Sequence, residues 1–363
     1  MNKHDFHLDV TYVALENFVE KSFEIAFDVF YAMQESQDSY MQEFFALVGH
    51  EEIYESLMYH KEIVHSILLT KNYELIESFF VWKYSMYSSR GVDVDCFLVE
   101  YALWKQSVMR ALYQSHSAEI NLFYDYLLAH HAAFKELSSV QKEIAVNQQH
   151  KALFDRLAIS FFEGKKEEFY EIAQENLHFF GGDIFVFIQQ ILNPLMYQVG
   201  KMWQYNKISV AKEHLATSLT NEIVDLFLVQ SKKSQEKKPR ALISTVGDES
   251  HNLGIKIVGK FLDSCGFDVK NLGAKLSQKE LLASVYELRP ELLVLSVTLP
   301  SNLANLQRVV HELKSDANVF AGLIVVGGQA LFGDGAMRTI EGADFCSNNL
   351  EELRLFLEAS AIK

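Results

Sequence analysis

The sequence is poor in the residues that break a chain into turns. Its 363 residues include four prolines and 17 glycines, and 13% are aromatic. That balance disfavours an all-β array and favours long helices tied by short connections. Cysteine is scarce as well: Cys96, Cys265 and Cys346 stand apart with no CxxC spacing. This excludes a disulfide framework and a cysteine zinc site, and it fits a reducing cytoplasm. No apolar run approaches the roughly 18 residues that span a bilayer, and the opening MNKHDFHLDV lacks the apolar core of a signal peptide. The expectation is a cytoplasmic protein with no membrane partner. Basic residues are short at one end, since residues 1–150 carry 10 Lys and Arg against 22 Asp and Glu, which places 12 of the 15 net negative charges there. Such a field repels phosphate backbones, and no basic face for direct nucleic-acid binding is visible. A content of 49% hydrophobic residues excludes a disordered or fibrous chain and supports several buried cores.

Four regions follow from patterning. Residues 1–146 read as an all-helical domain of about six helices, with breaks near Glu35-Ser36, Gly49, Lys71-Asn72 and Ser88 to Val92. Residues 147–230 show apolar positions at helical spacing (Leu153, Leu157, Phe161; Ile184, Phe187, Ile188, Ile191, Leu195) and fit a four-helix bundle. The bundle is divided at Glu163-Gly164-Lys165, Gly181-Gly182 and Tyr205-Asn206-Lys207, with Ser209 as an N-cap. The charged stretch Ser231 to Arg240 reads as a linker. From 241 to 363 the pattern changes to short β-branched runs, ALISTV, FDVKNLG, ELLVLSV and GLIVVGG, separated by amphipathic segments. That alternation implies a flavodoxin-like, Rossmann-type α/β domain whose parallel sheet takes ligands beyond the carboxyl ends of its strands.

The stretch Val246 to Gly254 follows the first of these strands and opens a helix. Its histidine, His251, stands at the carboxyl edge of the sheet, free to reach a ligand. Glu249, two residues earlier, can accept the other imidazole N–H and fix its tautomer, which supports a metal ligand. Gly254 spares a side chain where a bulky group would collide. Ser296 ends the third strand and Gly327-Gly328 end the fourth, small residues that leave a slot in the sheet.

An acidic residue, one residue, His, two residues, Gly, then Ser and a later Gly-Gly resembles the cobalamin-binding domain, and the resemblance covers Arg240 to the C-terminus. It implies that His251 is the lower cobalt ligand. Glu249, Ser250, Asn252, Leu253 and Gly254 would surround it, with the nucleotide tail of the cofactor beside Ser296, Thr298, Gly327 and Gly328. Glu249 stands where Asp is commoner. Upstream, Trp203, nine residues and then Glu213-His214 resembles the helical bundle of light-sensing adenosylcobalamin proteins of the CarH and LitR type. By that resemblance Trp203 packs on the upper adenosyl group, Glu213 holds its ribose and His214 stands near the upper face of the corrin. Two departures are plain. The residue after the tryptophan, a cobalt-capturing histidine in many members, is Gln204. The place of a basic helix-turn-helix domain is taken by acidic helices, so the output must differ.

The aromatics of residues 1–146, Trp82, Tyr84, Tyr87, Tyr101, Trp104 and Tyr113 among them, fit two readings. One is a packed helical core with surface histidines. The other is a globin-like fold holding a flat chromophore, with Trp82 and Tyr87 against its faces and Arg90 for a propionate. Acidic helices ahead of a bundle and a cobalamin domain resemble the photocobilins, which pair adenosylcobalamin with biliverdin. The function implied is a non-enzymatic light sensor. Photolysis of its cobalt–carbon bond would change domain packing and the state of a homo-oligomer, expected as a dimer, and so signal to an unidentified downstream protein. The alternatives are a corrinoid methyl-carrier protein of a methyltransferase system, or a haem- or cobalamin-responsive protein acting on a transcriptional repressor.

Overall fold

The structure is a computed structural model that describes residues 8–140, 146–228, 239–315, 320–332 and 338–360. Of the expected linker, Ser231 to Lys238 lies outside these residues; Arg240 already belongs to the first strand. The chain forms two compact units. One gathers Met1–Gln141 with Val297–His311 and Gln329–Glu341; the other gathers Lys142–Ser296, Glu312–Gly328 and Gly342–Lys363. No single helix among the described residues is long and apolar enough to cross a membrane.

Among the described residues of its N-terminal stretch, the first unit contains six helices, α1 (Tyr12–Gln34), α2 (Ser39–Val48), α3 (His50–Thr70), α4 (Glu74–Ser88), α5 (Cys96–Ala111) and α6 (Gln114–Ser138). Their starts are chemically marked where polar caps exist. Thr11 accepts from Ala14 N–H at 3.3 Å to open α1, and Asp38 accepts from Tyr40 N–H at 2.9 Å to open α2. On α1 the buried residues Ala14, Leu15, Phe18, Ile25, Ala26, Val29 and Met33 recur every three or four positions, which gives the helix one inward stripe. The break between α5 and α6 at Leu112-Tyr113 has neither Gly nor Pro to announce it.

Helix α3 also packs on the 3₁₀ turn Pro300–Asn302 and on α14 (Leu303–Lys314). The Ser66 hydroxyl donates to the Ser301 carbonyl at 2.7 Å and accepts from Ala304 N–H at 3.2 Å. Beside it Arg308 donates to His65 Nε2 at 2.8 Å, which requires a neutral imidazole.

The second unit joins helices to a sheet. Its helices are α7 (Lys151–Phe162), α8 (Lys166–Asn176), α9 (Ile184–Phe187), α10 (Asn193–Gln204) and α11 (Val210–Leu228). A π turn, Ile188–Leu192, runs straight into α10, whose second residue is Pro194. Proline lacks the N–H of the regular ladder and its ring crowds the carbonyl four residues back, so the helix widens just before it. After the Tyr205-Asn206-Lys207 break Ser209 accepts from Lys212 N–H at 3.3 Å and opens α11.

The sheet has five parallel strands in the order β2-β1-β3-β4-β5: β1 (Arg240–Thr245), β2 (Asp268–Asn271), β3 (Leu292–Ser296), β4 (Leu323–Gly327) and β5 (Phe345–Cys346). This is the doubly wound order, with its switch point between β1 and β3. Strands buried on both faces read as continuous apolar runs, which is why β1, β3 and β4 are plain in the sequence; the edge strand β2, Asp268–Asn271, is largely exposed, and β5 has two residues and gives no such signal. The connecting helices are α12 (Leu253–Ser264), α13 (Gln278–Leu288), α14, the short α15 (Gln329–Phe332) and the last, α16 (Leu350–Ala359). One core runs from the helices into the sheet, with Phe161, Phe187, Ile191 and Ile223 in the same cluster as Ile243, Ile255, Phe261, Val294 and Leu353. Phe185 meets Phe261 edge to face at 5.3 Å.

The joint at His65 has a pH signature. Burial, and then the Arg308 charge, lower its pKa from 6.5 to about 4, with Glu62 opposing and Lys61 adding to the shift. The unfolded chain therefore binds a proton that the folded chain refuses between pH 6.5 and 4. Stability is lost as pH falls through that window, by roughly 2–3 kcal/mol from this group. His65→Gln, which keeps a neutral acceptor for Arg308, should remove that loss. Urea denaturation at pH 7 and pH 4.5 measures it, and equal pH dependence in both proteins would contradict the assignment.

Candidate functional site

The β1–α12 loop is built around a buried carboxylate. Glu249 has no exposed surface, and a carboxylate so placed must be hydrogen-bonded or neutralised. Gly247, at φ 76°, turns the chain so that Glu249 N–H donates to the Gly247 carbonyl at 2.9 Å. Lys275 N–H donates to the Glu249 carbonyl at 3.2 Å. The Glu249 carboxylate then accepts from His251 N–H at 3.1 Å and pairs closely with His251 Nδ1. With Nδ1 engaged, the nitrogen left to a ligand is Nε2, on a side chain that is 53% exposed. The hydrogen bond to Glu249 raises the His251 pKa against the opposing effect of burial, and the Glu213 charge raises it further.

Glu213 comes from the first turn of α11, so the helical part and the sheet converge here. Its Oε1 accepts from Thr217 at 2.9 Å, while Oε2 pairs with His214 Nδ1 at 2.7 Å and leaves the imidazole of His214 largely exposed. The approach is fixed further along, where Lys256, one turn into α12, pairs with Asp225 of α11 at 2.8 Å. Trp203 is half-buried in the last turn of α10, and the neighbouring Gln204 is buried and accepts from Lys201 at 2.9 Å.

Strand register aligns the other positions. Thr245 pairs with Ser296 and Ser296 with Gly327, which places three small residues of β1, β3 and β4 in a row at the carboxyl edge. Ser250 and Asn252 are exposed and Leu253 is half-buried; Asn252 occupies the N-cap of α12 without a side-chain capping bond. Thr298 lies two residues past β3 and is half-buried.

The two glycines differ in what surrounds them. A Cβ on Gly254 would meet no atom within 4 Å, so the space at the helix start is open. A Cβ on Gly327 would lie 2.6 Å from the Ser347 carbonyl oxygen, so this glycine admits backbone rather than leaving a gap. Gly328 follows at φ 110°, a conformation that favours glycine.

In the first unit the three residues selected for a chromophore stand in ordinary helical surroundings. Trp82 is half-buried against Phe79, with ring centroids 5.7 Å apart. Tyr87 is packed between Phe44 and Phe97, and burial pushes its hydroxyl up to about 12. Arg90 donates to the Met86 carbonyl at 2.7 Å, one turn back on its own helix. Sequence reasoning missed a more unusual group nearby. Lys83 pairs with Glu100 at 2.7 Å, both buried, and His60 lies 3.8 Å from the same carboxylate while stacking on Trp104 at 4.7 Å. His60 Nδ1 and Nε2, Trp104 Nε1 and Tyr124 Oη are buried without hydrogen-bond partners among the described residues. The signal was a charge on an apolar stripe, Lys83 among Phe79, Phe80, Tyr84 and Tyr87, and Glu100 among Phe97, Tyr101 and Trp104.

No group of three or more His, Cys, Asp or Glu side chains that could hold a metal ion occurs among the described residues. A single outward imidazole braced by a buried carboxylate suits a metal whose other positions are already filled, as in a corrin. The residues present therefore fit cobalamin.

Comparison with known proteins agrees. Residues 239–347 match the B12 binding domain family, and residues 153–227 match a second family of the same description. The chain carries B12-binding domains, which indicates cobalamin binding. Dimethylamine corrinoid protein 3 of Methanosarcina acetivorans is 24% identical over 142 residues, 39% of this chain and 67% of the relative. The HTH-type transcriptional repressor CarH of Myxococcus xanthus is 22% identical over 125 residues, 34% of this chain and 41% of the repressor. Among solved structures, the Methanosarcina barkeri monomethylamine corrinoid protein is similar with a TM-score of 0.48 and 20% identity, over 58% of this chain and 99% of that one.

The two roles of Gly327 separate experimentally. If the Ser347 carbonyl is what requires it, Gly327→Ala should destabilise the cofactor-free protein by about 1–3 kcal/mol, the cost of overpacking. Urea denaturation without cobalamin reads this directly, and unchanged stability would return the glycine to a role in the cofactor slot alone.

Proposed function

We propose that this protein is a light sensor that holds adenosylcobalamin between a four-helix cap, residues 147–230, and the sheet domain, and that it is not an enzyme. The observation that carries this reading is the convergence of two separate motifs: Lys256 of α12 pairs with Asp225 of α11 at 2.8 Å, which holds the helix that carries Glu213-His214 against the helix that follows the Glu249–His251 loop, and the Glu213 charge adds to the imidazole's proton affinity. Adenosylcobalamin supplies a cobalt–carbon bond that visible light breaks, freeing the adenosyl group. His251 would hold the cobalt from below through Nε2. Trp203, Glu213 and His214 would line the upper side, the indole packing on the adenosyl group and Glu213 accepting from its ribose. The open space over Gly254 and the row Thr245, Ser296, Gly327 would take the body of the cofactor and its nucleotide tail, with Thr298 and Gly328 alongside. Only the dark form adds the adenosyl group to the contacts of Trp203, so light would change the free energy of cap against sheet by differential contact, and a change in self-assembly would follow.

The dimethylamine corrinoid relative favours a second reading, a methyl carrier that works with a methyltransferase. A carrier needs its upper face open to a partner enzyme, which makes Trp203 the residue that separates the two. In the sensor, Trp203→Ala should leave cobalamin bound and reduce the preference for adenosylcobalamin over methylcobalamin at least tenfold. A buried indole supplies roughly 3–5 kcal/mol of packing that only the larger group uses fully. Equal loss of affinity for both forms, or an oligomeric state unaltered by green light in size-exclusion chromatography, would contradict the sensor.

The proposal extends to biliverdin as a second chromophore in the N-terminal helices. What supports it is the group of unpartnered polar atoms on His60, Trp104 and Tyr124 within a wall of stacked rings, each costing about 1–3 kcal/mol unless something hydrogen-bonds to it. Co-expression with haem oxygenase should yield protein that absorbs in the far red. Colourless N-terminal helices after such co-expression would reject the bilin and leave the cobalamin assignment standing.

A further inference from the structure

We infer that helix α3 is the element through which the cobalamin slot is read by the N-terminal helices, with Ser66 as the latch; the inference rests on the cobalamin reading above. The two chain segments that continue from the strand ends of the slot, Val297–His311 after Ser296 and Gln329–Glu341 after Gly328, belong to the same compact unit as the N-terminal helices. They are tied to each other where they leave the sheet, since Ala330 N–H donates to the Val297 carbonyl at 3.1 Å. A few residues on, the turn Ser301–Ala304 is buried and gripped by one side chain. The Ser66 hydroxyl donates to the Ser301 carbonyl and accepts from Ala304 N–H, so both of its hydrogen-bonding functions are spent across a sequence separation of more than two hundred residues. Ser66 itself has no exposed surface. Arg308, one turn further along α14, closes the joint on His65.

A serine among the buried positions of α3, which are otherwise mostly apolar (Ile63, Val64, Ile67 and Leu68 nearby), is poorly explained by packing alone. Its geometry is explained if the turn must be held in one register against α3. Ordering Val297 and Thr298 around a nucleotide tail then requires the Ser301–Ala304 turn to take one position, and Ser66 passes that requirement to α3. The same helix carries His60, six residues away or about 9 Å along the axis, into the buried Lys83–Glu100 group. One rigid element thus spans from the slot's outgoing segment to the unusual polar core of the N-terminal helices.

Hydrogen–deuterium exchange of the full chain, with and without hydroxocobalamin in the dark, tests this. Bound hydroxocobalamin should slow exchange at least tenfold both in 297–311 and in the second half of α3, a coupling of ordinary allosteric size. In Ser66→Ala the protection of 297–311 should persist while that of α3 is lost. Should that variant fail to fold, Arg308→Gln weakens the same joint and should show the same split to a lesser degree. Uptake of hydroxocobalamin, visible in the absorption spectrum, with unaltered α3 exchange in the natural protein would overturn the inference and leave the cobalamin reading intact. Failure to take up hydroxocobalamin at all would overturn both.

Discussion

Burying the carboxylate of Glu249 is the constraint on which the site depends. A carboxylate withdrawn wholly from water persists only if other groups replace its hydration, and two of those groups come from His251: its backbone N–H, which sets the loop, and its Nδ1, which sets the ring. The outward Nε2 follows from satisfying that one group. Nearby Glu213 adds a second negative charge that raises the proton affinity of the same imidazole. The same charges favour the protonated imidazole, so metal and proton compete for Nε2.

Much of this arrangement was legible in the sequence because it is local. Glu249 and His251 are two residues apart in one loop, and the strand ends Ser296 and Gly327 follow apolar runs that parallel strands produce when buried on both faces. The breaks between helices were visible wherever Gly, Asn or a charged run marked them. Leu112-Tyr113 carries no such mark, and β5, two residues long, has no pattern to find. Pro194 was visible as a letter, yet its consequence, a π turn before it, is a property of the helical ladder. The gap expected at Gly327 is filled by the Ser347 carbonyl, because a sequence shows that a side chain is missing and does not show what occupies the space.

What stayed hidden is non-local. Ser66 and Ser301 are separated by most of the chain, and nothing near either residue announces the other. Lys83 and Glu100 each look like solvated charges until their helices are packed together, at which point both are buried and leave His60 beside them with neither nitrogen satisfied. Groups of this kind are costly unless a partner satisfies them. The N-terminal helices differ from a purely apolar packing domain in two respects: their core holds buried polar groups, and α3 grips the Ser301–Ala304 turn that follows β3.

The claim on which all of this turns is that His251 supplies the lower ligand of cobalt. Protein grown with ¹⁵N-labelled histidine, loaded with hydroxocobalamin and reduced by one electron, has an unpaired spin on cobalt that couples to an axial nitrogen. An ordinary ¹⁴N ligand splits each resolved cobalt line in the electron paramagnetic resonance spectrum into a triplet, and a ¹⁵N ligand into a doublet. The account predicts triplets in unlabelled protein, doublets in labelled protein, and neither protein-derived pattern in His251→Ala. Triplets that survive the label would mean that the nitrogen comes from the cofactor's own base, and would contradict the assignment of His251.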